Sequence, residues 1–326
     1  MVCDLIIDGN YMLSKLVFTL HKNNLLFGAL EQSLENSIVN YRKIFPFSNA
    51  YLVSDSREKS WRKKLTKDYK GQRKKDNDID WKFVYQTYQT FKDNIQTVKV
   101  FESPTIEGDD WISYLIKKSN DNGRSVIVIS NDYDIKQLIK FNIDPLYINI
   151  MSNEMYNSQK IFMPKNYKIF LNQLNKLPND DIFNLNDNSE FIRLIKDFET
   201  QYNVHEVDAV ESLIIKLISG DKSDNINSVW VQTGKTGKKR GIGEIGAKSI
   251  YDMYIDEFGD VDLNDPDLFE NIADLICEKK KISKIKIDTI VNNLNRNSKV
   301  IDLNLDNIPE RIVETMKTVY NDVIKL

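Results

Sequence analysis

The sequence predicts an α/β fold: a mostly parallel central sheet flanked by helices, followed by a helical region. Three observations carry this expectation. Short β-branched runs alternate with helical periodicities over residues 1–150. Strand signals stop after about residue 165. Acidic residues fall where the early strands end, which is where open parallel sheets hold their ligands.

The elements follow in order. CDLII (3–7) reads as the first strand, AYLVS (50–54) as the second, QTVKVF (96–101) as the third and SVIVIS (125–130) as the fourth, with a fifth near 145–150. Helical patterns separate them at 28–44, 79–94 and 108–119. An Asn-rich stretch at 175–190 reads as a loop, and helices are expected near 190–200, 205–219, 246–257, 267–279 and 308–323. No internal repeat is evident. The division expected is a core over 1–160, an insertion of unknown role over 161–204 and a helical region over 205–326.

Composition limits the function classes. The 326 residues are 41% hydrophobic and 29% charged, which suits a folded core rather than disorder. No run approaches the ~18 apolar residues of a membrane span. MVCDLIIDGN carries acid where a signal peptide carries positive charge, so no such peptide is expected. Cys3 and Cys277 form no metal-ligand pattern, and a reducing compartment is expected. Net charge is only −3, but it is unevenly spread. Residues 57–75 hold ten basic side chains against Glu58 and Asp68, a net of +8. Two readings of that block stand: a polyanion partner, or a solvated basic helix.

The acids carry the chemistry. The first strand leads to Asp8, the second to Asp55 and the fourth to Asp132 and Asp134, while the turn after the third reaches Glu107, Asp109 and Asp110. Acids at a helix start can be plain caps worth ~0.3–1 kcal/mol. That explains Glu107 to Asp110 but not seven acids from four strand ends. So many like charges on one rim call for a cation. His21 and His205 are remote in sequence, so an all-oxygen set suits magnesium or manganese better than zinc. A later pair, Asp221 and Asp224 in SGDKSDNI, either shares a helix face or belongs to a polar turn after Gly220.

The segment GKTGKKRGIGEIGAKS (234–249) is neither of the nucleotide motifs it evokes. A P-loop needs glycine where Val229 stands, and the G-x-G-x-x-G of Gly241, Gly243 and Gly246 follows Lys238-Lys239-Arg240 rather than a buried strand. What remains is glycines opening a helix, a place where backbone amides approach phosphates. Asp8-Gly-Asn also lacks the second aspartate of a phosphatase nucleophile motif.

In combination, IEGDDWISYL, VIVISNDYDIKQL and ISGDKSDNI resemble the structure-specific 5′-nucleases, which include flap endonucleases and 5′→3′ exonucleases. SWRKKLTKDYKGQRKK, DWKFVYQTY and VIDLNLDNIPERIVETMKTVYN are similar in particular to the ribonucleases H of T-even bacteriophages. The resemblance covers about 1–155 and 205–325. It implies a PIN-like core with a basic helical bridge at about 57–95, and a helix–hairpin–helix element at about 219–257. It implies one metal bound by Asp8, Asp55, Asp109 and Asp132 with Glu107 supporting, and a second drawing on Asp110, Asp134, Asp221 and Asp224 through water. The ions would be two Mg2+, with Mn2+ able to substitute. Lys70 and Arg73 would contact the scissile phosphate, and Tyr69 would stack on a base. Arg62, Lys63, Lys64, Lys67, Lys238, Lys239, Arg240, Lys248 and the three glycines would meet nucleic acid, with K+ at the hairpin.

The implied function is removal of RNA primers or 5′ flaps during phage DNA replication by a monomer in the host cytoplasm. DNA and RNA–DNA hybrids would be substrates, and a single-strand-binding protein or sliding clamp would be partners. Two other readings stand beside it: a PIN-type ribonuclease acting on RNA alone, and a non-catalytic junction-binding protein. Two departures from the family are evident. NSVWVQTGKTGKKR (227–240) is inserted and is expected to be a mobile basic loop, and 160–204 has no counterpart beyond an expected helical pair.

Overall fold

The computed structural model describes residues 3–44, 49–72, 77–141, 146–149, 154–157, 160–162, 204–206, 208–233 and 236–325. The chain divides into two compact units. The first comprises 1–59, 75–207 and 309–326, and the second comprises 60–74 and 208–308. This differs from the division expected from the sequence. The basic segment 60–74 leaves the core to join the second unit, and the last helix returns to the first.

The first unit is built on a sheet with order β3-β2-β1-β4-β5-β6-β7-β8. β1 (Cys3–Asp8), β2 (Asn49–Val53), β3 (Lys99–Phe101), β4 (Ser125–Ile129) and β5 (Leu146–Asn149) pair in parallel, with Ile6 beside Tyr51 on one edge and Val128 on the other. Such strands are covered on both faces and read as unbroken apolar runs, which is why they were visible in the sequence. β6 (Glu154–Asn157), β7 (Lys160–Phe162) and β8 (Val204–Glu206) continue the sheet antiparallel; β6 and β7 were not expected, and β8 corrects the expectation that strands stop after about 165. The helical pair expected between them lies outside the described residues.

Helices α1 (Gly9–Lys22), α2 (Leu26–Ile44), α3 (Trp81–Asn94) and α4 (Gly108–Asp121) flank the sheet. α1 was not expected. It buries Tyr11, Met12, Leu13, Val17 and Leu20 against the core that holds Leu5, Ile7, Ile127 and Ile129. Each such aliphatic side chain contributes ~1.5–3 kcal/mol when fully buried.

Among the described residues, five further α-helices and a β-hairpin follow. α5 (Ala209–Ser219), α6 (Glu244–Phe258), α7 (Leu268–Lys280) and α8 (Ile287–Ile301) form the second unit around a core that includes Leu213, Ile250, Ile276 and Leu294. Asp208 caps α5, accepting from the N–H groups of Val210 and Glu211 at 2.8 and 2.9 Å. Instead of the expected loop, 227–240 contributes to a β-hairpin of β9 (Val231–Thr233) and β10 (Lys239–Gly241). α9 (Glu310–Lys325) belongs to the first unit. There Tyr320 stacks on Phe101 at 6.1 Å, and Lys99 donates to the Val323 and Ile324 carbonyls at the helix end. Among the described residues no helix is long and apolar enough to cross a membrane.

Candidate active site

The carboxyl edge of the parallel strands is where the first unit concentrates its acids. Asp8 ends β1 and caps α1, its Oδ1 accepting from the Tyr11 N–H at 2.9 Å. Its Oδ2 accepts from the Ser130 hydroxyl at 2.6 Å. The side chain sits where the residue is only 9% exposed. Burial pushes its carboxyl up to about 6, and the charges of Asp55 and Asp132 add to that, against the lowering effect of the Ser130 and Tyr11 hydrogen bonds. Residue 9 has to be glycine for a steric reason: a Cβ there would lie 2.1 Å from the Tyr88 hydroxyl and 2.6 Å from the Val53 carbonyl.

Asp55 follows β2, and its Oδ1 accepts from the Gly108 N–H at 2.7 Å, joining the end of that strand to the first turn of α4. A carboxylate there also benefits from the positive end of the helix dipole. Glu107 and Asp110 form a capping box at the same helix start, with the Glu107 N–H donating to Asp110 Oδ2 at 3.1 Å. Both are buried, Asp110 completely, while Asp109 is half-buried. The capping role weighed for these acids in the sequence is therefore real for Glu107 and Asp110.

Beyond β4 the backbone turns through two successive side-chain bonds. The Asp132 N–H donates to Ser130 Oγ at 3.0 Å, and the Asp134 N–H donates to Asp132 Oδ1 at 2.9 Å. Asp132 and Asp134 are half-buried. The structure thus brings Asp8, Asp55 and Asp132 into one electrostatic field. Yet among the described residues no three acids stand close enough about one point to hold an ion as the side chains lie. The two findings are compatible, because charge coupling extends over several ångströms whereas ligation needs oxygens ~2.0–2.6 Å from one centre. An all-oxygen set whose members repel one another fits a hard divalent cation that would draw them together.

The second unit holds the other acidic pair. Asp221 is buried and engaged on both oxygens: Oδ2 with Lys216 at 2.6 Å, and Oδ1 with the N–H and hydroxyl of Ser223 at 2.7 and 2.6 Å. Burial alone would raise its carboxyl, but Lys216 and Ser223 outweigh burial and hold it below the usual range. Asp221 therefore braces the polar turn between Gly220 and Ile226, with which it forms an isolated β-bridge. That turn also receives the basic segment. The Lys70 N–H donates to the Asp224 carbonyl at 2.8 Å, and the Asn225 amide donates to the Asp68 carbonyl at 3.0 Å. Lys70 and Asn225 both adopt left-handed backbone, at φ +52° and +60°.

Two expected nucleic-acid contacts need correction. Tyr69 is 3% exposed within the second unit's core, with the Lys70 ammonium 5.0 Å from its ring centroid, so no open face is left for a base. Arg62 is 1% exposed, with Nε donating to the Val300 carbonyl at 2.9 Å and its guanidinium 4.5 Å from the Trp61 ring. It is a packing residue. Lys64 and Lys67 are exposed and Lys63 is half-buried on or beside the short 3-10 turn Trp61–Lys64, so 57–95 is not one helical bridge. Arg73 lies outside the described residues.

Lys238, Lys239 and Arg240 are all exposed at and along β10. Gly241 closes the hairpin against Ser228, Gly243 is the N-cap of α6 without a side-chain cap, and Gly246 lies in its first turn. Lys248 is committed to Glu211 at 3.1 Å and Asp252 at 2.6 Å, which weakens its claim to a phosphate. Ser130 was missed in the sequence, where it reads as an ordinary polar residue after a strand.

Comparison with known proteins follows the same direction. Residues 4–167 match the family model of the 5′-3′ exonuclease N-terminal resolvase-like domain. A 5′-3′ exonuclease of Buchnera aphidicola subsp. Schizaphis graminum is 30% identical over 168 residues, covering 48% of this chain and 55% of that one. Another, of Mycoplasmopsis pulmonis, is 24% identical over 250 residues, covering 77% and 66%. The chain thus spans between half and two thirds of the length of these relatives. Among solved structures, the T5 D15 protein co-crystallised with metal ions superposes with a TM-score of 0.62 at 17% identity, over 98% of this chain and 99% of that one. A pseudo-enzyme-product complex of the bacteriophage T5 D15 flap endonuclease with DNA and metal ions gives 0.62 at 16%, over 99% and 100%. At these identities the likeness is one of fold.

Proposed function

The chain belongs to the 5′-3′ exonuclease family through its N-terminal resolvase-like domain, and from that premise we propose that it is a metal-dependent nuclease hydrolysing phosphodiester bonds at 5′ ends or flaps. The observation that carries this reading is the placement of Asp8, Asp55 and Asp132 where three neighbouring strands end, Asp8 and Asp132 joined through Ser130 and Asp55 bonded to the start of α4. The metal ions and DNA named for the T5 structures support it.

Asp8, Asp55, Asp109 and Asp132 are the proposed metal-holding carboxylates, with Glu107 and Asp110 fixing the helix start behind them. Magnesium or manganese is the proposed ion; when bound, such ions acidify water and neutralise charge on phosphate oxygens. The protein's own part is to hold carboxylates against their mutual repulsion. Gly108 and Tyr11 do this with backbone N–H groups, and Ser130 with its hydroxyl. Lys70 and Arg73 are proposed as cations for the phosphate being cut. Asp134 is proposed to serve a second ion through water, whereas Asp221, held by Lys216 and Ser223, has structural work in its own turn. Lys238, Lys239 and Arg240 are proposed to hold duplex backbone without reading sequence.

A finer reading assigns the activity to primer or flap removal during phage replication in the host cytoplasm, on DNA and RNA–DNA hybrids, with K+ at the hairpin and a single-strand-binding or clamp partner. The test uses 5′-labelled flap, nicked and RNA–DNA hybrid substrates, each with magnesium and with chelator. Labelled 5′ products released only with magnesium are expected. Cleavage that persists in chelator would overturn the proposal.

A further inference from the structure

We propose that Ser130 is a positioning residue that sets Asp8 and Asp132 relative to each other for metal binding. The inference rests on the metal reading above and extends it to a residue with no charge and no exposure. Ser130 is completely buried at the end of β4, on the strand adjacent to β1. A hydroxyl has one hydrogen to donate. Here it goes to Asp8 Oδ2 at 2.6 Å, a distance typical of a charge-assisted O–H···O bond. The same oxygen accepts the Asp132 N–H at 3.0 Å. One atom therefore links the carboxylate of β1 to the backbone of the acid that follows β4.

The next bond continues the arrangement. Asp132 Oδ1 accepts from the Asp134 N–H at 2.9 Å, so Asp132 is held at its backbone by Ser130 and at its carboxylate by Asp134. Each bond spans two residues, which makes the S-N-D-Y-D run a pair of nested side-chain turns. Asp8 is held equally at both oxygens, by Tyr11 and by Ser130. With Ser130 reduced to alanine, Asp8 Oδ2 and the Asp132 N–H would each lose a partner, and two acids that repel one another would lose the group that fixes their separation. Groups that orient metal ligands from behind typically change affinity by ~10–100-fold when removed.

Ser54 supplies the control. It is buried at the end of β2, and its hydroxyl shares a 2.7 Å hydrogen bond with the Tyr88 hydroxyl rather than with a carboxylate. Ser54→Ala deletes the same atom from an equally buried strand end. The measurement is Mn2+ binding to the whole protein without nucleic acid, followed by loss of the free-ion electron paramagnetic resonance signal, with thermal melting alongside. Ser130→Ala is expected to weaken binding by ~10-fold or more, Ser54→Ala to leave it within about threefold, and Ser130→Thr, which retains the hydroxyl, to recover most of the loss. Equal affinity for Ser130→Ala and wild type would overturn the proposal, as would equal losses in the two alanine variants. If Ser130→Thr melts early from its added methyl, the two alanine variants still decide the matter. Absence of Mn2+ binding by the wild-type protein would overturn the metal reading itself and the positioning role with it.

Discussion

Gly9 and Tyr88 are in steric opposition: a Cβ on Gly9 would lie 2.1 Å from the Tyr88 hydroxyl, which is itself held by Ser54 at 2.7 Å. Overpacking a buried site costs ~1–3 kcal/mol and at times more. Gly9→Ala is expected at or above that range by urea unfolding. Tyr88→Phe in the same background is expected to recover part of the loss, since the clash with the Val53 carbonyl at 2.6 Å remains. Strictly additive effects would show that the hydroxyl is not the obstacle.

Asp8 imposes a pH dependence on the metal-free protein. Its carboxyl is raised from 3.8 to about 6, chiefly by burial, so the folded state holds its proton more tightly than the unfolded chain does. The associated stability is fully present below pH ~4 and is lost as pH rises through about 6, a change of order ~3 kcal/mol. Denaturant midpoints of the wild-type protein in chelator should carry this fall between pH 4 and 7. Asp8→Asn should remove it. An unchanged slope in that variant would place the effect elsewhere.

Asp221 works in the opposite sense. Lys216 and Ser223 hold its carboxyl low despite burial, so its contribution is present above the usual carboxylate range and is lost as pH falls below it. Asp221→Ala breaks a largely buried ion pair and frees the turn that receives Lys70, and should cost ~1–3 kcal/mol. A variant as stable as the wild type would show that this ion pair does not brace the turn.

The exposed hairpin cations lend themselves to a salt titration. Replacing Lys238, Lys239 and Arg240 together by alanine should weaken binding to every duplex-containing substrate regardless of sequence. It should flatten the log–log salt dependence by ~0.9 for each phosphate no longer neutralised. Fluorescence anisotropy over a range of salt reads this directly, and an unchanged slope would remove the hairpin from the interface.

The parallel strands were legible in the sequence because burial on both faces leaves continuous apolar runs such as SVIVI, and the acids stood out because they follow those runs. β6, β7 and β8 are only three or four residues long and include EMYN and VHE, so pairing with neighbours rather than composition makes them strands. α8 was missed because asparagines dilute its pattern. Asn297, which reads as a surface residue, is buried and donates to the Leu217 carbonyl at 2.8 Å. Arg62 and Tyr69 were misread for a related reason. Inside a basic run both look like surface groups, but their surroundings come from residues far along the chain, Val300 for one and the α5 core for the other. Ser130 matters through two hydrogen bonds that no spacing in the sequence reveals.

The most direct measurement of the central claim is the rate at which Asp132→Asn cleaves a 5′-labelled flap at saturating magnesium, beside its affinity for the same substrate. Asn keeps the shape and the N–H that meets Ser130 while removing one charge from the coupled set. Cleavage is expected to fall by about a thousandfold or more, ~4 kcal/mol in barrier, with binding nearly intact. Retention of a tenth of the wild-type rate, a difference of only ~1.4 kcal/mol, would contradict the assignment of these carboxylates to a catalytic metal site.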